Sequence, residues 1–440
     1  MMFWRVIKRY ESIGIGIFLS CCPLFAQTDS LYLTVGQLLK LGIENSLHIQ
    51  ADRMLERQAE EQSQIARKNR LPDIQIGLNG GYVGQPIIFE RGLSNPTRPE
   101  TPDWSQNYAI DLTQPIYQGG KIRYSIRKAD LEKQIAYLQT RTDKADIKLN
   151  LLQQYMSLFS YYKQYEVLAR NIEESERRLK DIKRLKAEGV ITNNDVLRSE
   201  LQLTTDRLAL QETGNTLVIL SQQLDILLGL DEKLYIIPDT AILNQLTSTR
   251  QYQQYVEDAY ENDPAMLLAR QQIQLARNEV DLAKADYRPT ISLHAGNTLT
   301  RPVSRTMADM YNNNWNIGLS IAYPLSSLYK NKHRVNSARL GVHLRENAEE
   351  QLKQQARMTI RTAFLRHEEA VERVEALKLS VRQAQENYRI VQNRYLSQLA
   401  ILTDLLDANS VLLDAELQLT TARAQVIYTY YELQHACGKL

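Results

Sequence analysis

Residues 158–189 read LFSYYKQYEVLARNIEESERRLKDIKRLKAEG. Within this stretch Leu158, Tyr165, Ile172 and Leu179 recur every seven residues, and Leu203, Leu210, Leu217 and Leu224 do the same in the tract that follows. A period of seven held over many turns is the seam of a left-handed coiled coil. No proline occurs from Lys121 to Ile237, and the tract is rich in Leu, Gln, Glu, Arg and Ala, which favour helix. The first break is Glu188-Gly189, where a turn is expected. A helix from Lys121 to Ala187 would be 67 residues, about 100 Å long at 1.5 Å per residue. No ordinary globular core needs a helix of that length.

The same text is written twice. Asn45 to Arg53 lines up with Asn262 to Arg270, and the same shift of 217 carries Pro72 onto Pro289. Further on the shift becomes 209 and stays there. Pro115 falls on Pro324, Lys121 on Lys330, Asp195 on Asp404 and Gly229 on Gly438. The first copy therefore carries eight extra residues between Pro72 and Pro115. Pro86 to Pro102 holds four of the twelve prolines and is expected to be a surface loop. The heptads recur in the second copy as Val374, Val381 and Tyr388, then Leu412, Leu419, Val426 and Leu433. The expected organisation is a signal peptide at 1–26, a first repeat at 27–235, a linker at 236–250 and a second repeat at 251–440.

Between the helices the period drops from seven to two. Trp315, Ile317, Leu319, Ile321 and Tyr323 alternate with Asn314, Asn316, Gly318, Ser320 and Ala322. Ile291, Leu293 and Ala295 form a second such run, and the first copy has Ile74, Ile76 and Leu78, then Tyr108, Ile110 and Leu112. One apolar face, one small polar face and aromatic ends are the pattern of transmembrane strands in an outer-membrane barrel. Trp104, Tyr108, Trp315 and Tyr323 are candidates for its interfacial girdles. Four strands cannot close a barrel, and lipid does not tolerate an open sheet edge. If the strands span a membrane, several chains must share one barrel.

Composition narrows the classes. Of 440 residues, 53 are Lys or Arg and 51 are Asp or Glu. Arg5, Lys8, Arg9 and Glu11 precede position 27, so the remainder is neutral and offers no footprint for nucleic acid. Three cysteines (Cys21, Cys22 and Cys437) offer no disulfide framework. No pair of the six histidines has a metal-ligand spacing, so neither a metal nor a cofactor is expected. No phosphate loop, nucleophile elbow or His–carboxylate motif marks an enzyme. The basic start, the apolar run Ile13 to Leu19 and Ala26 read as an export signal cut before Gln27, with Leu24 three positions before the cut. A lipoprotein reading through Cys21 or Cys22 fits less well, because Ser20 and Cys21 intervene between the apolar run and the cut.

Three segments resemble the TolC-like outer membrane efflux protein family. They are Leu112-Thr-Gln-Pro115-Ile-Tyr-Gln-Gly119-Gly120-Lys121, Glu188-Gly-Val-Ile-Thr-Asn-Asn-Asp195-Val-Leu197, and Tyr395-Leu-Ser-Gln-Leu-Ala-Ile-Leu-Thr-Asp404-Leu-Leu-Asp407-Ala408. The resemblance covers nearly the whole chain after the signal. It implies a duplicated helix-strand-strand-helix-helix unit, three copies of which (a homotrimer) form a twelve-stranded transmembrane β-barrel in the outer membrane. A long α-helical tunnel, the α-barrel, would continue that β-barrel through the periplasm. It also implies partners: outer membrane lipid, a periplasmic adaptor (membrane fusion) protein, and an inner-membrane transporter of RND, ABC or MFS type. The function implied is the exit duct of a tripartite efflux or type I secretion system.

The resemblance also assigns residues. Asp404 and Asp407 align with the family's acidic ring at the periplasmic mouth. Their spacing of three puts them on one helix face, although an acid at a helix start is also favoured by the dipole alone. Asp195 and Tyr395 align with a pair that holds the closed tip, and Asp195 too could simply start a helix. Ala400 stands where the family's lock can carry a basic residue. Gly189, Val190, Gln398 and Leu399 are the expected adaptor-contacting tip, with Gln398 in place of glycine implying either a different second turn or a different adaptor. The rival from another class is a structural periplasmic coiled coil without a pore.

Overall fold

The structure is a computed structural model, and it describes residues 30–241, 250–302 and 309–440. The expected signal peptide, with Cys21 and Cys22, lies outside the described residues. The first copy runs β1 (Ser30–Leu33), α1 (Val35–Asn45), α2 (Leu47–Lys68), β2 (Asp73–Tyr82), β3 (Ile88–Glu90), β4 (Ser94–Thr97), β5 (Trp104–Gln118), α3 (Lys121–Ala187) and α4 (Asn193–Leu228). After β6 (Tyr235–Pro238) the second copy runs α5 (Tyr252–Asn262), α6 (Pro264–Ala285), β7 (Thr290–Arg301), β8 (Asn312–Ala322), α7 (Ser327–Leu396) and α8 (Leu402–Ala436). The unit is therefore helix, two strands, a very long helix and a shorter one, twice over. The region expected to be a loop, Pro86 to Pro102, holds the small exposed hairpin β3–β4.

α3 is 67 residues and α7 is 70, with the ends of α3 where the proline-free run and Glu188 place them. Its start depends on Gly119 and Gly120, both at positive φ. A Cβ on Gly119 would lie 2.6 Å from the Ala285 carbonyl oxygen, so only glycine lets the strand turn into the helix there. The heptad residues Leu158, Ile172, Leu203, Leu217 and Leu224 are buried. In the second copy Leu433 is buried, whereas Val374, Val381, Tyr388, Leu412, Leu419 and Val426 stay half-buried in the single chain.

The main core lies midway along the helices. Leu38 of α1, Leu151, Leu152, Tyr155, Leu158 and Phe159 of α3, Leu217, Leu224 and Leu228 of α4, and Ala424 and Ile427 of α8 form one cluster. The parallel pair β1–β6 closes it, with Leu31 opposite Ile236. The Tyr155 hydroxyl donates to the Leu33 carbonyl (2.6 Å) and accepts from the Asp239 amide (2.8 Å), which satisfies backbone groups that the short strands leave open. Tyr235–Pro238, at the start of the expected linker, is thus a strand. A second cluster joins Tyr255, Val256 and Ala259 of α5 to Ile360, Ala363 and Phe364 of α7, and to Leu433 and Cys437. Cys437 is fully buried, and burial pushes its thiol up to about 11, so it is an inert packing residue.

The alternating runs form one antiparallel sheet in the order β2-β5-β7-β8. Its register stacks Ile74, Leu112, Ala295 and Ile317 in one row across all four strands. The row Gln75, Asp111, Gly296 and Asn316 faces the other way. Among the described residues nothing covers the apolar face: Ile76 and Leu78 are each 70% exposed and Ile317 is 68% exposed. β5 runs through Pro115, which no alternation predicts. A register shift between Pro115 and Tyr117 accommodates it, because proline has no amide to offer the ladder.

Candidate functional site

The end of the long helices farthest from the sheet is built by two turns, α3 to α4 and α7 to α8. In the first, Gly189 N–H donates to the Lys186 carbonyl (3.0 Å) and Val190 N–H to the Leu185 carbonyl (2.9 Å), with Gly189 at φ 76°. In the second, Gln398 N–H donates to Tyr395 (3.0 Å) and Leu399 N–H to Arg394 (2.8 Å), with Gln398 at φ 61°. Both are Schellman caps. Of the two readings of Gln398, a different turn is the one that falls away: the backbone pairing gives the same left-handed conformation despite the side chain. Val190 and Leu399 occupy matching places just past the caps, and both are exposed.

The helices that leave the turns differ. Thr192 caps α4 by a reciprocal pairing with Asp195. The Asp195 carboxylate accepts from the Thr192 amide (3.0 Å) and hydroxyl (2.7 Å), while the Asp195 amide donates back to the hydroxyl (3.4 Å). In the second copy Ile401 stands where Thr192 would, so Asp404 accepts only the Ile401 amide, at 3.4 Å. Asp404 is left with an almost unengaged carboxylate in the first turn of α8, and Asp407 stands one turn on, both exposed.

Asp195 and Tyr395 are near one another but not hydrogen-bonded. The Tyr395 hydroxyl has no partner, and burial first, then the Asp195 charge, raises its pKa. Its ring packs with Leu179, Ile191 and Leu406 on the buried cluster Ile182, Val196 and Leu402, which joins the two turns. Asp195 is occupied by its helix cap.

The tie between the copies comes instead from a polar network centred on Arg178, which no motif in the sequence marks. Arg178 of α3 donates to the Tyr388 hydroxyl of α7 (2.9 Å), to Asn409 Oδ1 of α8 (3.2 Å) and to Ser175 Oγ (2.7 Å). Asn409 donates to Asn171 (3.0 Å), and Asn171 donates to Asp206 of α4 (3.0 Å). Asn171, Ser175, Asp206 and Asn409 are all buried. All four long helices thus meet in one polar network between the tip and the main core. Arg198 of α4 adds a bond to Thr403 of α8 at 2.7 Å. Arg178 is the basic residue of this network, and it stands on α3 rather than at the second turn. No local signal marks it, since one arginine among many on a charged helix looks like solvated surface.

A tip of two matched turns, a tunnel-length helical body and an uncovered sheet at the far end make one combination. Residues 38–230 and 255–439 match the family model described as outer membrane efflux protein. The chain belongs to the outer membrane efflux protein family. It is 24% identical to outer membrane protein TolC of Salmonella enteritidis, over 99% of this chain and 87% of that protein. It is 21% identical to the proteases secretion protein PrtF of Dickeya chrysanthemi, over 91% and 87%. Among solved structures, outer membrane protein VceC of Vibrio cholerae superposes with a TM-score of 0.74 at 18% identity, covering 92% of this chain and 96% of VceC. CusC superposes with 0.78 at 16% identity, covering 92% of each. The family consists of channel proteins rather than enzymes. This efflux protein is an outer membrane exit channel, seated in that membrane and extending into the periplasm.

Proposed function

We propose that three copies of this efflux protein pool their sheets into one twelve-stranded barrel and their long helices into one periplasmic tunnel. The observation that supports it is the four-stranded sheet, which among the described residues has an uncovered apolar face and free edges at β2 and β8. Such a sheet is unstable in lipid until its edges pair, and the smallest membrane barrels have about eight strands. Tyr82 and Trp104 meet edge to face (6.2 Å between ring centroids) at the loop end, and Tyr117 and Tyr323 lie exposed at the helix end, as two interfacial belts require.

At the other end, the exposed Val190 and Leu399, set on the caps of Gly189 and Gln398, form the surface that meets a periplasmic adaptor. The adaptor links the duct to an inner-membrane transporter of RND, ABC or MFS type. The chain itself does no chemistry. Asp404 and Asp407 of three copies surround the tunnel mouth, so six carboxylates attract cations and let polyvalent cations plug the opening. The Arg178 network and the tip cluster hold the helices of each copy together there.

Planar-bilayer recordings test this. Wild type should conduct with cation preference and be blocked by polyvalent cations. Asp404→Asn combined with Asp407→Asn should weaken both properties while insertion survives. Unchanged selectivity would reduce the two acids to helix-start residues. Release of the wild-type protein from membranes by alkali alone, with no conductance, would establish the poreless coiled coil instead.

A further inference from the structure

We propose that His48, Asp52 and Asp143 form a binding site for one divalent transition-metal ion that fastens α2 to α3. His48 and Asp52 are one turn apart on α2 and so project from the same face. Asp143 reaches them from α3. The His48 Nε2 atom is 3.9 Å from Asp52 Oδ2 and 3.9 Å from Asp143 Oδ2, and one ligand atom from each residue lies within 4.8 Å of the others. In a tetrahedral site with bonds of 2.0–2.1 Å the donors stand about 3.3 Å apart. Closing in by several tenths of an ångström is within reach of His48, whose side chain is exposed.

Asp52 is the observation that points to a ligand. It is only 8% exposed, and its Oδ2, the atom aimed at His48, has no hydrogen-bond partner. Asp143 sets a second carboxylate beside it. Among the described residues no Lys or Arg pairs with either acid. Two neighbouring carboxylates, one of them buried and unsatisfied, repel one another, and a cation between them would relieve that repulsion. The Asp143 carboxylate is itself held by Gln139, whose side-chain amide donates at 3.1 and 3.4 Å, as an outer partner that orients a metal ligand does. The solvent-facing pair His343 and Glu346, by contrast, has one carboxylate.

The donor set decides the class of ion. One imidazole nitrogen with two carboxylates suits zinc and its first-row neighbours, whereas calcium and magnesium take oxygen ligands. Three protein ligands with an exposed imidazole leave a fourth position to water and a path of access. The site is remote from the tip and the sheet, and it stands or falls independently of the channel reading.

The test uses the full chain in detergent, purified without a polyhistidine tag, stripped with chelator and titrated calorimetrically with zinc chloride. The expected result is one ion per chain. His48→Gln and Asp143→Asn should each weaken binding by about tenfold or more, since even outer-shell changes cost roughly 10–100-fold, and His343→Gln should leave it unchanged. Zinc should also raise the melting temperature of wild type and not of His48→Gln, because an ion bound only by the folded state stabilises it. No saturable stoichiometric uptake, or equal uptake by wild type and His48→Gln, would overturn the site. The same saturation with calcium chloride would overturn the assignment to transition metals. Should Asp143→Asn fail to fold, His48→Gln decides alone, because that side chain is in solvent.

Discussion

Gln398 adopts a backbone conformation that glycine takes without cost, and its partner in the duplication, Gly189, shows what the turn needs. A non-glycine residue in the left-handed region loses roughly 1–2 kcal/mol to the contact between Cβ and carbonyl. Gln398→Gly should therefore stabilise the second tip turn by about 1 kcal/mol, and Gly189→Ala should destabilise the first by a similar amount. Chemical unfolding of both variants in detergent checks this, and equal effects of the same sign would refute it. Asp225 of α4 makes the second residue-scale case. It is fully buried, both its carboxylate oxygens lack partners, and burial, with the charges of Asp231 and Glu232, pushes its carboxyl up to about 6. The folded state thus keeps a proton that the unfolded chain releases near 3.8. Between those values the folded state binds more protons, so stability falls as pH rises from about 4 to about 6. Asp225→Asn should remove that part of the slope and melt higher than wild type at pH 7.5, which thermal scans at pH 4.5 and 7.5 will show.

At the scale of elements, the two faces of the sheet make opposite demands. The register puts Asn316 in a row with Asp111, Gly296 and Gln75, so that face already carries a carboxylate. Asn316→Arg should be tolerated, whereas Ile317→Arg should cost about 2–4 kcal/mol near mid-bilayer and impair insertion. Outer-membrane fractionation of the two variants separates the cases, and equal insertion would contradict the barrel. The alternation behind this prediction was legible because side chains on a strand change face at every residue. The pair β1–β6 was not legible. Four residues each, more than 200 positions apart, carry no periodicity that a local window can detect.

For the whole molecule, closure decides the oligomer. One chain supplies four strands with two unpaired edges, and the second-copy heptads from Val374 to Val426 stay half-buried until another surface covers them. Cross-linking in native membranes should therefore yield trimers. Monomers alone would exclude a shared barrel. The exposure along the sheet has a separate cause: its apolar face suits lipid, and a soluble domain would not leave such a face open to water.

The amino-acid sequence alone determined the duplication, the ends of the 67-residue helix, the alternating strands and the cap at Gly189. Each of these follows from backbone geometry over a few residues, where period, cap and turn chemistry act locally. The tertiary structure decided which polar side chains meet. Arg178 reaches Asn409 across 231 residues, and Asp143 reaches His48 from another helix. Such meetings depend on the rotational phase between long helices, which accumulates along their whole length and is set by packing of the core around Tyr155 and of the tip around Ile182. No window of sequence contains that phase, because it is a property of the packed helices together.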